Sequence, residues 1–367
     1  MRLLFIEDEP DNIRPLVNRL QRGISPCSYE ITSFTDAKTA IDRFLPDIVI
    51  LDLFAGLPAE MQTPGREIYD WIWRMRFCPI VIYSANPDAL TTERAPHPFV
   101  KAVQKGSDSV PKVEAAIDEF RPHVDALRDT ETHFRREFAY ALRDASVYAF
   151  SSFSVPTERV DAFIRAGRRR LAAIMDDLSR YEQKMASWEQ YVCPPVSANL
   201  KLGDVLHKVG DPNNVAASFR VVLTPSCDLV VNGGREAKVS NVLVARCCSI
   251  KSAVEQLGCA KAEKLKKVLT QGYSDNMLLL PALPKRIPHM AVNLRNLELL
   301  PLGQVSGDSK KFETVASIDS PFREHVAWAY MQIACRPGLP DRDLDVWCSE
   351  IIAATKSTAQ GKENEGV

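Results

Sequence analysis

Short apolar runs separated by helical spacings dominate the first third of the chain. Leu3–Ile6, Asp47–Leu53 and Pro79–Ala85 are nearly continuous in Ile, Leu and Val, as in strands buried on both faces. Tyr29–Thr35 alternates apolar and polar residues and predicts a strand nearer an edge. A further strand-like run precedes Lys105. Between these runs lie Ile13, Leu16, Val17 and Leu20; then Ala37, Ala40, Ile41 and Phe44; then Ile68, Trp71, Ile72 and Met75, each set on one helix face. Strand and helix alternating at this pitch predict an α/β fold, a doubly wound parallel five-stranded sheet over residues 1–121. Ligands bind such sheets beyond the carboxyl ends of the strands.

From about Val113 the pattern turns helical and continues through ALRDTETHFRREFAYALRDASVYAF with few breakers. SSFSVP interrupts it, and Pro156 with Glu158 reads as a new helix start. Val160, Ile164, Gly167, Leu171, Ile174, Leu178, Tyr181, Met185 and Trp188 then step by four and three, a heptad seam. Residues 122–192 therefore predict a helical hairpin. Two copies joined through residues 124–190 would form a four-helix bundle in a homodimer. The alternative is that the seam packs on the chain's own C-terminal domain.

Cys193-Pro194-Pro195 marks the next boundary, and residues 193–354 predict an α+β domain with a β-rich core, a small curled sheet or barrel. Its expected strands include Phe219–Leu223, Leu229–Val231 and Val239–Ala245, with others in LLLPALP, MAVNLRNLELLPL and FETVASI. Val254–Leu269 and Pro321–Ala334 predict helices. Residues 355–367 are polar and predict a disordered tail.

Composition excludes some function classes. The net charge of −1 gives no basic field for nucleic acid, and Arg168-Arg169-Arg170 falls on a predicted helix as a solvated face. No apolar stretch approaches membrane-spanning length and no export signal is present, so the expectation is a cytoplasmic protein. The nine cysteines show no framework spacing, and reduced thiols are expected.

The chemistry concentrates at predicted strand ends. Glu7 and Asp8 follow the first strand, Asp52 the third, Ser84 the fourth and Lys105 the last. Carboxylates crowded together raise each other's pKa unless a cation neutralises them, and Mg²⁺ takes hard oxygen ligands of this kind. The plain reading makes Glu7 and Asp8 helix-capping acids and Lys105 a surface charge. Five positions matching in order and on the right elements favour the other. The arrangement resembles the receiver domain of two-component response regulators over roughly the first 120 residues.

That resemblance implies a Mg²⁺ held by Glu7, Asp8 and Asp52, and a phosphoryl group accepted by Asp52 from a sensor histidine kinase. It implies a Ser84 hydroxyl turned toward the acyl phosphate and a Lys105 ammonium pairing with it. Three departures stand out. Gly56, Pro58 and Gly65 lie in a stretched loop, FAGLPAEMQTPG. ANPDALTTERAPHP leaves little room for a fourth helix, and Ala102 stands where receivers carry an aromatic switch residue. Lys101 is a second lysine within the last strand.

Beyond the receiver, the whole chain is similar in architecture to atypical receiver proteins of bacterial anti-phage phosphorelays of the Detocs type, in which the receiver acts as a phosphate sink. No helix-turn-helix triad is evident. His133 has two readings, a phosphotransfer residue or a solvated side chain. Cys227, beside Asp228 in TPSCDL with His207 upstream, suits a thiol nucleophile in a phosphorylation-gated enzyme, or a structural turn. Cys227, Cys247, Cys248, Cys259 and His207 are candidate zinc ligands, although no C-x-x-C pair is present. The leading expectation is a response regulator that changes assembly or binds an unknown downstream protein.

Overall fold

The computed structural model describes residues 1–23, 27–54, 63–91, 96–175, 177, 184–231, 234–307, 310–336 and 340–360. The chain forms two compact units, Met1–Tyr181 and Glu182–Val367.

In the first unit, β1 (Arg2–Ile6), β2 (Ser28–Thr32), β3 (Ile48–Leu51), β4 (Ile80–Ser84) and β5 (Val100–Gln104) form one sheet in the order β2-β1-β3-β4-β5. Every pairing in it is parallel. The apolar runs explain this, because both strand faces are covered. Leu3, Phe5, Ile48, Ile50, Val81 and Tyr83 point to one core, with α1 (Pro10–Gly23) and α5 (Ser109–Ser152) packed on it. Leu4, Ile6, Val49, Leu51, Ile80 and Ile82 point to the other, under α2 (Ala37–Phe44) and α3 (Pro64–Met75). Each such side chain, fully buried, contributes about 1.5–3 kcal/mol. The fourth helix, α4, is only Asp88–Thr91.

The boundary expected at residue 121 falls inside α5, which runs unbroken for 44 residues. Phe120 and Val124, one turn apart, are both buried in the first of these cores, so the apolar stripe crosses the expected boundary without interruption. Farther on, α5 pairs with α6 (Pro156–Met175), the hairpin expected from the sequence.

The seam of that hairpin follows the expectation in part. On α6 Gly167 is buried and Leu171 and Ile174 are half-buried, while Val160 and Ile164 are exposed. Ala141, Ala145 and Ala149 are the buried residues of the facing part of α5. A Cβ at position 167 would come within 2.6 Å of Leu142 Cδ2. These small residues let the two backbones approach closely, with Leu142 packed over Gly167. Among the described residues α6 extends to Met175, and 177 and 184–186 are not helical. Leu178 and Tyr181 lie outside the described residues, and Met185 and Trp188 belong to the second unit, Trp188 in a short 3₁₀ turn, Ser187–Gln190.

The second unit contains β6 (Tyr191–Val192), β7 (Asp204–Lys208), β8 (Phe219–Val222), β9 (Asn241–Ser249), β10 (Met277–Leu280), β11 (Met290–Pro301) and β12 (Phe312–Ile318). They form one antiparallel sheet in the order β10-β11-β9-β8-β7-β12-β6. It is an open sheet with β10 and β6 at its edges, not a barrel. Bulges at Asn293/Leu297 and Thr314/Ala316 increase its twist.

Three expectations are corrected here. No strand forms at Leu229–Val231: Leu229 closes a single helical turn, α7 (Ser226–Leu229), and Val230 and Val231 follow it outside any strand. The helix expected over Val254–Leu269 is two, α8 (Ile250–Gln256) and α9 (Ala262–Gln271), separated at Gly258, whose φ of +58° ends the first. After α10 (Phe322–Ala334), α11 (Leu344–Gln360) continues into the segment expected to be a disordered tail. The remaining tail residues, 361–367, lie outside the described residues. Among the described residues, no helix is long and apolar enough to cross a membrane.

Candidate phosphoacceptor site

The strand order 2-1-3-4-5 places the switch of winding direction between β1 and β3, where doubly wound sheets bind ligands. Glu7 and Asp8 leave β1 and Asp52 leaves β3 at this point. Backbone bonds fix both exits: Glu7 N donates to Thr32 O at 3.0 Å, and Asp52 N to Ile6 O at 3.0 Å. Carboxylate oxygens of Glu7, Asp8 and Asp52 all lie within 4.8 Å of one another. Glu7 and Asp52 are buried and Asp8 is exposed.

Lys105 follows β5, and its backbone N donates to Ser84 O at 2.9 Å. Its ammonium donates to Glu7 Oε2 and to Asp52 Oδ2, each at 2.6 Å. The second oxygen of Asp52, Oδ1, accepts from Leu53 N at 2.6 Å. Ser84 is fully buried at the end of β4, and its hydroxyl has no hydrogen-bond partner. Lys101 is elsewhere occupied, ion-paired with Glu119 of α5 at 2.7 Å.

The electrostatics are those of a site short of positive charge. Burial pushes the Glu7 carboxyl up to about 7; Lys105 pulls it down, while Asp52 and a hydrogen bond with Asp8 add to the rise. Burial would lower Lys105, but its hydrogen bonds to Asp52 and Glu7 outweigh that and hold it above the ordinary lysine range. A carboxyl held near neutrality beside two others is the donor set of a hard cation, and it fits Mg²⁺.

Two further positions shape the site. At Gly65, at the start of α3, a Cβ would lie 2.3 Å from the Asp52 carbonyl oxygen and 2.6 Å from Leu53 Cα. Only glycine permits this approach. Of the stretched loop before it, Gly56 and Pro58 lie outside the described residues. Tyr83 was not singled out from the sequence. Lys105 Nζ sits 5.7 Å from the centre of its ring, and its hydroxyl is 3.0 Å from Ser109 Oγ at the start of α5. Its placement directly before Ser84 was the available signal. Ala102 lies exposed on β5.

The all-parallel sheet order 2-1-3-4-5, flanked by helices, makes the fold of the N-terminal unit receiver-like. No family model matches the chain, and no curated protein matches it. Among solved structures, the N-terminal domain of the nisin resistance regulator NsrR, a lantibiotic response regulator, is 21% identical with a TM-score of 0.25, over 32% of this chain and 94% of that one. The response regulator PhyR from Brucella abortus is 22% identical with a TM-score of 0.27, over 36% of this chain and 52% of its own. The N-terminal domain of a response regulator/sensory box/GGDEF three-domain protein from Carboxydothermus hydrogenoformans is 16% identical with a TM-score of 0.27, over 35% and 99%.

The other sequence candidates are not drawn into any comparable cluster. His133 is exposed on α5 with its ring beside Phe134. Cys227 is exposed in α7, its thiol 3.7 Å from Asp228 Oδ1, which also takes Lys238 Nζ at 3.0 Å. His207 is buried on β7 against Phe219, with neither ring nitrogen hydrogen-bonded. Among the described residues, the zinc candidates form no group of three ligands; the acidic trio is the group that does. Cys247 is buried and held far above the ordinary thiol range by desolvation, as a core residue is.

Proposed function

We propose that the chain is a response regulator in which Asp52 accepts a phosphoryl group from a sensor histidine kinase. The observation that carries this reading is the convergence of Glu7, Asp8, Asp52 and Lys105 beside the unpartnered Ser84 hydroxyl, all at one sheet edge. Glu7, Asp8 and Asp52 would hold Mg²⁺, which supplies charge neutralisation for the incoming phosphoryl oxygens. One Asp52 carboxylate oxygen attacks phosphorus as the bond to the donor breaks, and the donor's leaving group departs with that electron pair. The Asp52–Lys105 ion pair then opens, and the ammonium pairs with a phosphoryl oxygen. The Ser84 hydroxyl donates to another.

A transmitting role is favoured over a passive phosphate sink by α5, which begins beside Lys105 and continues without a break into the hairpin. The hairpin is the proposed assembly element. Phe134, Phe138, Tyr148 and Ile164 are all more than a third exposed, apolar side chains that a second copy would cover. The test is incubation with acetyl phosphate and Mg²⁺, followed by intact mass measurement. One phosphoryl group is expected on the native chain and none on Asp52→Ala. Undiminished modification of that variant sinks the reading.

A further inference from the structure

The second unit holds a cavity of about 570 Å³, within the range of small-molecule sites. Its walls are Val254 of α8, Leu265 and Leu269 of α9, Leu278 and Leu280 of β10, and Phe322 with Val326 of α10. Met185 to Ser187 close one side. No Asp, Glu, Lys or Arg lines it; the polar side chains on its wall are Ser187, Gln190, His289 and His325.

Two of these groups are set as donors: His289, and the buried Gln190 amide nitrogen, which has no hydrogen-bond partner. The Ala282 N–H donates to His289 Nδ1 at 3.2 Å, so the neutral ring carries its proton on Nε2. His325 Nε2 is buried without a hydrogen-bond partner, packed against Gly272. Gly272 itself is on the wall, with φ of +87° at the end of α9, and a Cβ there would come within 2.0 Å of that nitrogen. An ionised ligand in this cavity would meet no opposite charge and would lose its hydration uncompensated. An apolar ligand with no acceptor would leave the donors unanswered.

We infer that this cavity binds an uncharged, largely apolar small molecule, an alkyl or aryl chain bearing a carbonyl acceptor. The carbonyl takes hydrogen bonds from the imidazole and amide donors, and the chain replaces water against the leucine walls. Nothing in the phosphoacceptor chemistry requires this site, and it stands or falls separately.

The experiment uses the full chain with the uncharged fluorophore N-phenyl-1-naphthylamine, displaced by decanamide or by decanoate. Saturable one-site binding is expected, with decanamide displacing the fluorophore at least tenfold better than decanoate at pH 8. Ala186→Trp and Leu279→Trp, which fill the cavity from two sides, should each weaken fluorophore binding at least tenfold with unchanged circular dichroism. If Leu279→Trp fails to fold, Ala186→Trp decides. His289→Ala should weaken decanamide several-fold more than the fluorophore. Equal displacement by decanoate, unsaturable binding, or binding unchanged in Ala186→Trp overturns the proposal. So does displacement of the fluorophore only by a peptide or by dimerisation.

Discussion

Glu7 is the residue on which the chemistry of the first unit turns. Its carboxyl rises from 4.5 to about 7 because it is buried. Between those values the folded state holds a proton that the unfolded state has lost. Stability from this group therefore falls as pH rises through that window, by at most about 3 kcal/mol. A cation bound there competes with the same proton. Mg²⁺ binding measured by calorimetry in buffers of different ionisation enthalpy should release close to one proton near pH 6 and almost none near pH 8.5. Glu7→Gln should flatten that dependence; an unchanged proton release in this variant would refute the assignment. Gly65 gives a second test. Gly65→Ala drives a methyl into the Asp52 backbone, which cannot rotate away as a side chain can. A loss of roughly 3 kcal/mol in urea denaturation is expected, with slower phosphorylation. Glu7, Asp8, Asp52, Ser84 and Lys105 could be found in the sequence because each ends an apolar run, and the parallel sheet brings run ends together. Gly65 was noticed only as part of the stretched loop and Tyr83 not at all, because a close approach and a ring beneath an ammonium leave no periodic mark.

At the scale of elements, sequence periodicity identified the helices better than their contacts. The stripe through Val160 and Ile164 was legible, yet α5 and α6 meet through Ala141, Ala145, Ala149 and Gly167. Gly167 stood in the expected seam, but small residues at helical spacing look neutral in a hydrophobic pattern, so nothing marked it as the point of closest approach. The exposed side of the hairpin then becomes the candidate dimer surface. Light scattering should show a dimer with and without phosphorylation. Tyr148→Glu with Ile164→Glu should give a folded monomer, since both positions are already exposed within one chain. A native monomer at high micromolar concentration would dismiss the bundle. Gly167→Leu, by contrast, should lower the melting temperature, because it collides with Leu142 inside the hairpin.

For the whole molecule, the division after Tyr181 has a direct consequence. A fragment ending there keeps both receiver cores, the acidic trio and the hairpin. It should fold alone, take up one phosphoryl group and dimerise like the full chain, as read by circular dichroism, mass and light scattering. Loss of any of the three would show that residues 182–367 complete the first unit. The parallel sheet was legible in the sequence because strands buried on both faces leave long apolar runs. The antiparallel sheet was only partly so, since its strands bulge and its helices break at glycine rather than at proline.

The unbroken α5 also has a mechanical reading. Near the edge of the sheet opposite Asp52, two charged clamps hold it. Asp47, before β3, takes Arg128 at 2.6 Å as well as Arg2 at 3.1 Å, and Arg76 grips Glu131 through both nitrogens. Asp47 is depressed below the usual carboxylate range because the hydrogen bonds from Arg2 and Arg128 outweigh its burial, so the clamp stays charged. From Arg128 to Ser152 the helix projects for about 36 Å at 1.5 Å per residue. A tilt of about 5° about the clamp would sweep the far end through roughly 3 Å, on the scale of the small helix shifts that repack interfaces, and Pro122, which removes one backbone hydrogen bond ahead of the clamp, is where α5 can bend. A shaft of that length turns a movement too small to rearrange the core of the first unit into one of several ångströms at the hairpin tip.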